Sequence, residues 1–319
     1  MTKWIIGVVV VAIIVIAVFL VFSPRERPES VKIGYLPIIT SLPVYIAQEN
    51  DYMGQGGIDA EFIQLQSSNQ EIEALIRGDL DIVAISSAVP AFIVETIDPG
   101  KMEIFSVSEL PKEDQPFDSI IAKMGSAINN ITDLEGKKIG VFPGSTATNL
   151  LEKYLISKGV DISGVGFIPI TPPNQLPALY EGSIDAIHSY EPITTIAIES
   201  GDFKRIHKSV YAEQLNNNQG VALVSRSFIE TRPEIASRAI AALNMAFDFS
   251  RQEEQQSRVL LVKYMKLDSA VAENVVLAHM LRHDEIDSTA MQDYADRLYY
   301  LGELESRVNV SSMFYTILE

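Results

Sequence analysis

The sequence predicts an α/β chain built as two similar lobes, and three observations carry that prediction. First, Ala74-Leu75-Ile76-Arg77-Gly78-Asp79-Leu80-Asp81-Ile82-Val83 returns as Ala178-Leu179-Tyr180-Glu181-Gly182-Ser183-Ile184-Asp185-Ala186-Ile187. Both strings read as a helix end, a glycine suited to the left-handed C′ conformation, and a short apolar strand. Second, Val31-Lys32-Ile33-Gly34-Tyr35-Leu36-Pro37 is echoed by Lys137-Lys138-Ile139-Gly140-Val141-Phe142-Pro143, and Asn69-Gln70 by Asn174-Gln175, all at an offset of about 105 residues. Third, short apolar strands alternate with helical segments, which implies crossover connections and a largely parallel sheet. Two copies are too few for a solenoid, which needs about three repeats.

Near the N-terminus lies Trp4–Phe22, an uninterrupted apolar run. As a helix it would span about 28 Å, close to the ~30 Å hydrocarbon core of a bilayer. It exceeds the apolar core of a cleaved signal, and no small-x-small site precedes Ser23-Pro24. A retained membrane anchor is therefore the expectation, with a cleaved signal peptide as the alternative and Pro24–Ser30 as a polar tether.

Val31–Tyr35 opens the first lobe as a strand. Ser41 or Thr40 is placed to cap a helix with Leu42, Tyr45 and Ile46 inward, closed near Gly54 and Gly56-Gly57. Ile58–Leu65 is a second strand, Asn69–Arg77 a helix with Ile72, Leu75 and Ile76 inward, and Asp81–Ile85 a buried third strand. After Ala91–Ile97 and a strand near Glu103–Val107, the loop Glu109–Phe117 leads to Ser119–Lys123 and a first crossing between lobes. The elements then recur until Val221–Ser225, read as a strand crossing back. Helices are expected at Ile235–Phe249, Glu253–Met265, Ser269–Leu281 and Ser288–Leu301, packed on the first lobe. The division is thus 1–30 as anchor and tether, 31–117 plus 221–319 as one lobe, and 118–220 as the other.

Bulk properties narrow the function. With 319 residues, 47% hydrophobic and 21% charged, the chain is an ordinary folded protein. A net charge of −17 argues against a nucleic-acid surface, which needs clustered Lys and Arg. The absence of cysteine removes thiolate catalysis, Cys-ligated zinc, disulfides and a lipidated N-terminal cysteine. No Ser-His-Asp ordering, metal-ligand cluster or nucleophile elbow is present.

In parallel α/β sheets, ligands gather where strands end and helices begin. That rule selects Pro37–Leu42, Ser86–Ala88, Pro143–Thr148 and Tyr190–Pro192. Pro143-Gly144-Ser145-Thr146-Ala147-Thr148 suits an anion or carbonyl oxygen at a helix start, or is a plain N-cap, and no Gly-Lys-Ser/Thr follows to make it a P-loop. Glu191 could hold an amine or heterocycle N–H, or accept backbone amides in a structural role. His188 reads as a core or edge histidine, and His279 with His283 as a solvated helix face at i, i+4 spacing. Asn130-Ile131-Thr132 and Asn309-Val310-Ser311 are glycosylation sequons.

The segments KIGYLPIITSLPVYIAQENDYMGQGGIDAEFI, ALIRGDLDIVAISS, DLEGKKIGVFPGSTATNLLEKYLISKGV and ALYEGSIDAIHSYEP resemble the nitrate/sulfonate/taurine substrate-binding proteins of ABC transporters. That family also includes binding proteins for thiamine pyrimidine precursors. The resemblance runs from Val31 to about Phe228, with a family-like tail, VNVSSMFYTILE. It implies a two-lobe type II periplasmic-binding fold with two crossing strands and a ligand closed between the lobes. The family's contact segments then fall on Pro37, Thr40, Ser41, Leu42, Ser86, Ser87, Ser145, Thr146, Ala147, Tyr190 and Glu191. Tyr190 stands where the family commonly has tryptophan. The implied protein is no enzyme and needs no cofactor. It is a monomer on the extracytoplasmic face, held by Trp4–Phe22, that passes a small polar or anionic solute (nitrate-, sulfonate- or taurine-like, or an aminopyrimidine) to a permease and ATPase. The alternatives are an enzyme of menaquinone or thiamine-pathway type on the same fold, or a membrane-tethered sensor.

Overall fold

The computed structural model describes residues 29–109, 116–215 and 218–316. The apolar run Trp4–Phe22 lies outside them, and no helix among the described residues is long and apolar enough to cross a membrane. In chain order the strands are β1 (Glu29–Tyr35), β2 (Ile58–Gln64), β3 (Ile82–Ser87), β4 (Met102–Glu109), β5 (Asp118–Lys123), β6 (Lys138–Val141), β7 (Gly166–Pro169), β8 (Ala186–Tyr190), β9 (Phe203–His207), β10 (Asn218–Ser225) and β11 (His279–Arg282).

These strands form two sheets, ordered β11-β4-β10-β3-β1-β2 and β7-β6-β8-β5-β9. The duplication is visible in the pairing. Each sheet has a parallel trio, β2-β1-β3 in one and β7-β6-β8 in the other. Beside each trio lies an antiparallel strand, β10 against β3 and β5 against β8. The chain therefore passes between sheets twice, from β4 to β5 and from β9 to β10. The residues of β3 from Ile82 to Ser86 are all buried, as a strand covered on both faces should be.

The repeated glycine and aspartate have the same work in both copies. Gly78 and Gly182 each have φ +78° and end their helices in the left-handed conformation, which costs glycine nothing in Cβ strain. Asp81 Oδ2 accepts the Lys32 backbone N–H at 2.8 Å, and Asp185 Oδ2 accepts that of Lys138 at 2.8 Å. Each aspartate so ties the start of its unit's third strand to the first.

Two apolar layers cover the first sheet. One packs Ile33, Ile46, Phe105 and Phe247 together; the other packs Val83, Phe92, Ile104 and Tyr294. Leu150 and Tyr211, from the segment of the second sheet, join the latter layer. The second sheet has its own cores around Ile139, Leu151 and Leu155, and around Ile121 and Ile187.

Four expectations need correction. Ile76 is 42% exposed, and Glu71 takes the inward position on the helix Ser68–Arg77 instead, beside Ile72 and Leu75. The helix Leu42–Glu49 has no side-chain cap; the Ser41 hydroxyl donates to the Leu36 carbonyl at 2.7 Å. The expected helix Ser269–Leu281 stops at Asn274, and His279–Arg282 extends the sheet along β4 as β11, so His279 and His283 share no helix face. The C-terminal segment also reaches beyond the first sheet. Glu303 receives the Lys153 ammonium and the Asn149 amide, the latter at 3.1 Å, and Asn274 Nδ2 donates to Glu199 at 2.7 Å.

Candidate functional site

A cavity of about 110 Å³ opens where the two sheets face each other. Four loops selected by the strand-end rule all reach it. After β1 come Leu36, Ile38 and Thr40; at the end of β3 come Ile85, Ser86 and Ser87; after β6 come Phe142, Pro143, Gly144 and Ala147; Tyr190 closes β8.

Three helices start at this cavity: Ser68–Arg77, Ala88–Ile97 and Ser145–Ser157. The first-turn N–H groups of a helix carry partial positive charge, so three convergent N-termini favour negative charge between them. Gly144, the N-cap of the last helix, has φ +125°, and no side chain caps that end. A Cβ at Gly144 would sit 3.8 Å from Ser67 Cβ and 3.9 Å from Asn69 Oδ1, so the two halves meet across the cleft here.

The polar lining consists of hydroxyls and one amide. Ser68 Oγ accepts from the Ser87 N–H at 2.9 Å, Ser87 Oγ from Val89 at 3.4 Å, and Ser108 Oγ from Gly220 at 2.9 Å. Each serine then retains its own proton as a donor. Thr40 Oγ1 and Ser86 Oγ, on residues 7% and 2% exposed, have no hydrogen-bond partner among the described residues. Buried hydroxyls are normally paired, so two unpaired ones aimed at one cavity point to a ligand. None of the described lining residues is charged.

The rest of the wall is aromatic. Tyr190 stacks on Tyr211 with centroids 5.6 Å apart and meets the edge of Phe142 at 5.9 Å; the two tyrosine hydroxyls are hydrogen-bonded to each other. Phe117 and Tyr294 complete this side. Burial pushes the Tyr190 hydroxyl above its ordinary range, so it stays neutral. Beneath it, His188 is fully buried with Nε2 2.9 Å from Asp118 Oδ2, which places this histidine in the core.

Of the residues singled out from sequence, Thr40, Ser86, Ser87, Ala147 and Tyr190 line the cavity. Pro37, Ser41 and Leu42 do not, and Ser41 spends its proton on Leu36. Ser145 and Thr146 open a helix at the rim; their side chains lie outside the described residues. Glu191 is 2% exposed and turns from the cavity to the next helix, Ile193–Ser200, accepting the Thr195 N–H at 3.2 Å and the Thr195 hydroxyl at 3.0 Å. Burial raises its carboxyl above the ordinary carboxylate range, against the pull of the Thr194 and Thr195 hydroxyls, the Thr195 amide and Arg205. Tyr211, Tyr294, Phe117 and Ser108 were missed. Two of them sit in helices far from the motif strings, where an aromatic at helical spacing reads as core.

Two α/β sheets, crossed twice by the chain and facing each other over a ligand-sized cavity, define a two-lobe binding fold of the periplasmic type. The chain belongs to the NMT1-like family, whose model matches residues 25–263. Among its relatives, a protein named as aliphatic sulfonates-binding in Bacillus subtilis (strain 168) is 25% identical over 299 residues, covering 91% of this chain and 86% of that one. Another so named, in Escherichia coli (strain K12), is 23% identical over 251 residues, covering 78% and 76%. Among solved structures, the alkanesulfonate-binding protein SsuA from Xanthomonas axonopodis pv. citri, bound to MOPS, matches with TM-score 0.72 at 22% identity, over 91% of this chain and 99% of that chain. A desulfurization enzyme, DSZB, matches with TM-score 0.64 at 15% identity, over 90% and 96%. At these identities the structural likenesses establish the fold.

Proposed function

We propose that this protein is the solute-capturing component of an ABC importer and that its solute is a small organic anion of sulfonate type with an apolar body. One observation carries the reading: uncommitted hydroxyl protons and three helix N-termini face an aromatic wall, in a cavity whose described lining holds no charged side chain. Sulfonate oxygens are acceptors only, and such donors suit them without a cation. The aromatic side would take a chain or ring, at roughly 25 cal/mol per Å² of apolar surface removed from water. With Glu191 committed to Thr195, none of the described lining residues offers a carboxylate to the ammonium of a taurine-like zwitterion or to an aminopyrimidine. The names of the relatives and the MOPS bound in the Xanthomonas protein support the same class.

Residues 31–117 with 221–319 act as one lobe and 118–220 as the other. The ligand bridges them and favours the closed form by its differential affinity for it. Trp4–Phe22 tethers a monomeric body on the extracytoplasmic face, where it meets the permease and, through it, the ATPase; extraction of membranes at alkaline pH should leave the chain in the pellet. An enzymatic role on this fold, as in the desulfurization enzyme, has less support. The chain has no cysteine, and the titratable groups in the described lining are tyrosines.

The test is titration calorimetry of the full chain in detergent with 1-hexanesulfonate. Saturable binding that is lost with hexyltrimethylammonium in its place supports the reading; preference for the cation contradicts it.

A further inference from the structure

Glu71 is fully buried, and neither of its carboxyl oxygens has a hydrogen-bond partner among the described residues. It sits one turn into the helix Ser68–Arg77, whose first residues, Ser68 and Asn69, line the cavity. The polar group that acts on it is the Ser86 hydroxyl, itself buried and part of the cavity wall, although the two fall outside strict hydrogen-bond geometry. Such a carboxyl demands an explanation, because buried polar groups are nearly always paired.

The second lobe supplies a comparison. Counted back from the helix-ending glycines Gly78 and Gly182, Gln175 aligns with Glu71 and not with Gln70, the residue that the Asn-Gln strings pair it with. Gln175 is also fully buried, yet its amide is satisfied: Nε2 donates to the Ile170 carbonyl at 3.2 Å, and Oε1 accepts from Ser189 Oγ at 2.5 Å. The duplicated position therefore holds a neutral, hydrogen-bonded amide in one lobe and a carboxyl of the same shape in the other.

We propose that Glu71 is a neutral carboxylic acid that donates its proton to Ser86 Oγ, and so turns the Ser86 hydroxyl proton into the cavity as a ligand donor. Glu71 is a positioning residue on this account, and its part in binding rests on the reading of the cavity as an organic-anion site. The chemistry is one of direction. A neutral acid has one O–H to give, and a serine oxygen that accepts it is left with its own proton free for another acceptor. An ionised Glu71 would be acceptor-only; it would draw the Ser86 proton inward and present a lone pair to the ligand, which repels an anion. Burial pushes the carboxyl well above the ordinary carboxylate range, and the Ser86 hydroxyl only partly opposes this.

The experiment uses the full chain in detergent and has two arms. In the ligand-free protein at neutral pH, infrared spectroscopy should show a protonated-carboxyl C=O band that Glu71→Gln abolishes and Ser86→Ala shifts to higher frequency. Loss of a hydrogen bond produces that shift. Absence of the band, or a band that Ser86→Ala leaves in place, overturns the proposal. In the second arm, 1-hexanesulfonate binding should weaken by about 3- to 10-fold in Glu71→Ala, the usual worth of one hydrogen bond. Glu71→Gln, still a neutral donor, should restore it to within about twofold of wild type. Failure of that rescue overturns the positioning role. If neither wild type nor variant binds any sulfonate, the organic-anion reading fails, and the first arm still decides the state of Glu71.

Discussion

Replacing Thr40 with valine separates two effects that usually travel together. The side chain is 7% exposed, lies in the short 3-10 turn Ile39–Ser41 and faces the cavity, with Oγ1 unpaired among the described residues. Valine keeps the β-branched shape and exchanges the hydroxyl for a methyl. An unsatisfied buried hydroxyl costs about 1–3 kcal/mol, so its removal should stabilise the ligand-free protein by about 1 kcal/mol or more. For a cooperative unit of about 150–250 residues, that raises Tm by roughly 2–4 °C per kcal/mol. Binding should move the other way. A hydrogen bond to a charged ligand group is worth about 1.5–3 kcal/mol, so the Kd for 1-hexanesulfonate should rise about 10- to 150-fold. Differential scanning calorimetry of the ligand-free chain and titration calorimetry with the sulfonate measure the two halves. A variant that melts lower and binds as well as wild type would refute the assignment of Thr40 as a ligand group.

Three further outcomes follow from the geometry. Because burial raises the Glu191 carboxyl, the folded state holds that proton more tightly than the unfolded chain. The associated stability is complete below about pH 4.3 and is lost as pH rises through the raised value. Glu191→Gln should therefore flatten the decline in urea midpoint with rising pH and leave sulfonate affinity within about twofold; an unchanged slope would contradict this. Asp185→Ala should cost about 0.5–1.5 kcal/mol for its bond to the Lys138 amide, and Asp81→Ala more, about 1–3 kcal/mol, since Asp81 Oδ1 also pairs with Arg232 at 3.0 Å. Equal costs in urea denaturation would show that the arginine adds nothing. Glu303, with its side chain 3% exposed, holds Lys153 and Asn149 on the helix that starts at the cavity. Glu303→Gln should weaken sulfonate binding about 3- to 10-fold without touching the ligand, and small-angle scattering should report a more open ligand-free protein.

Most of the topology was legible in the repeated strings, for a physical reason. A helix end, an αL glycine and an aspartate that ties one strand to another are local requirements, so they leave local signatures in both copies. The strand β11 was not legible. Val275 to Leu281 continues the apolar spacing of the helix before it, and only pairing with the edge of β4 decides for a strand. Glu71 was missed for the same kind of reason, since a glutamate in an amphipathic helix reads as its solvated face. Its match to Gln175 in the repeat was the signal that could have found it. At the site, the loops were legible because strand ends define them, while the direction of each side chain was not. Ser41 and Glu191 turn to backbone and threonine partners, and Tyr211 and Tyr294 arrive from distant helices.

On the proposed reading, hydroxyls and helix N-termini on one side and aromatic rings on the other make the cavity select an organic anion. The most direct measurement is the thermal stability of the full chain in detergent against nitrate, bicarbonate, taurine, an aminopyrimidine and a series of alkanesulfonates of increasing length. Of these, alkanesulfonates alone should raise Tm, more so with each added methylene until the cavity is full. At about 100 times the Kd the best of them should add about 2.7 kcal/mol. A shift with taurine or the aminopyrimidine equal to that of the best alkanesulfonate would contradict it, as would stabilisation independent of chain length.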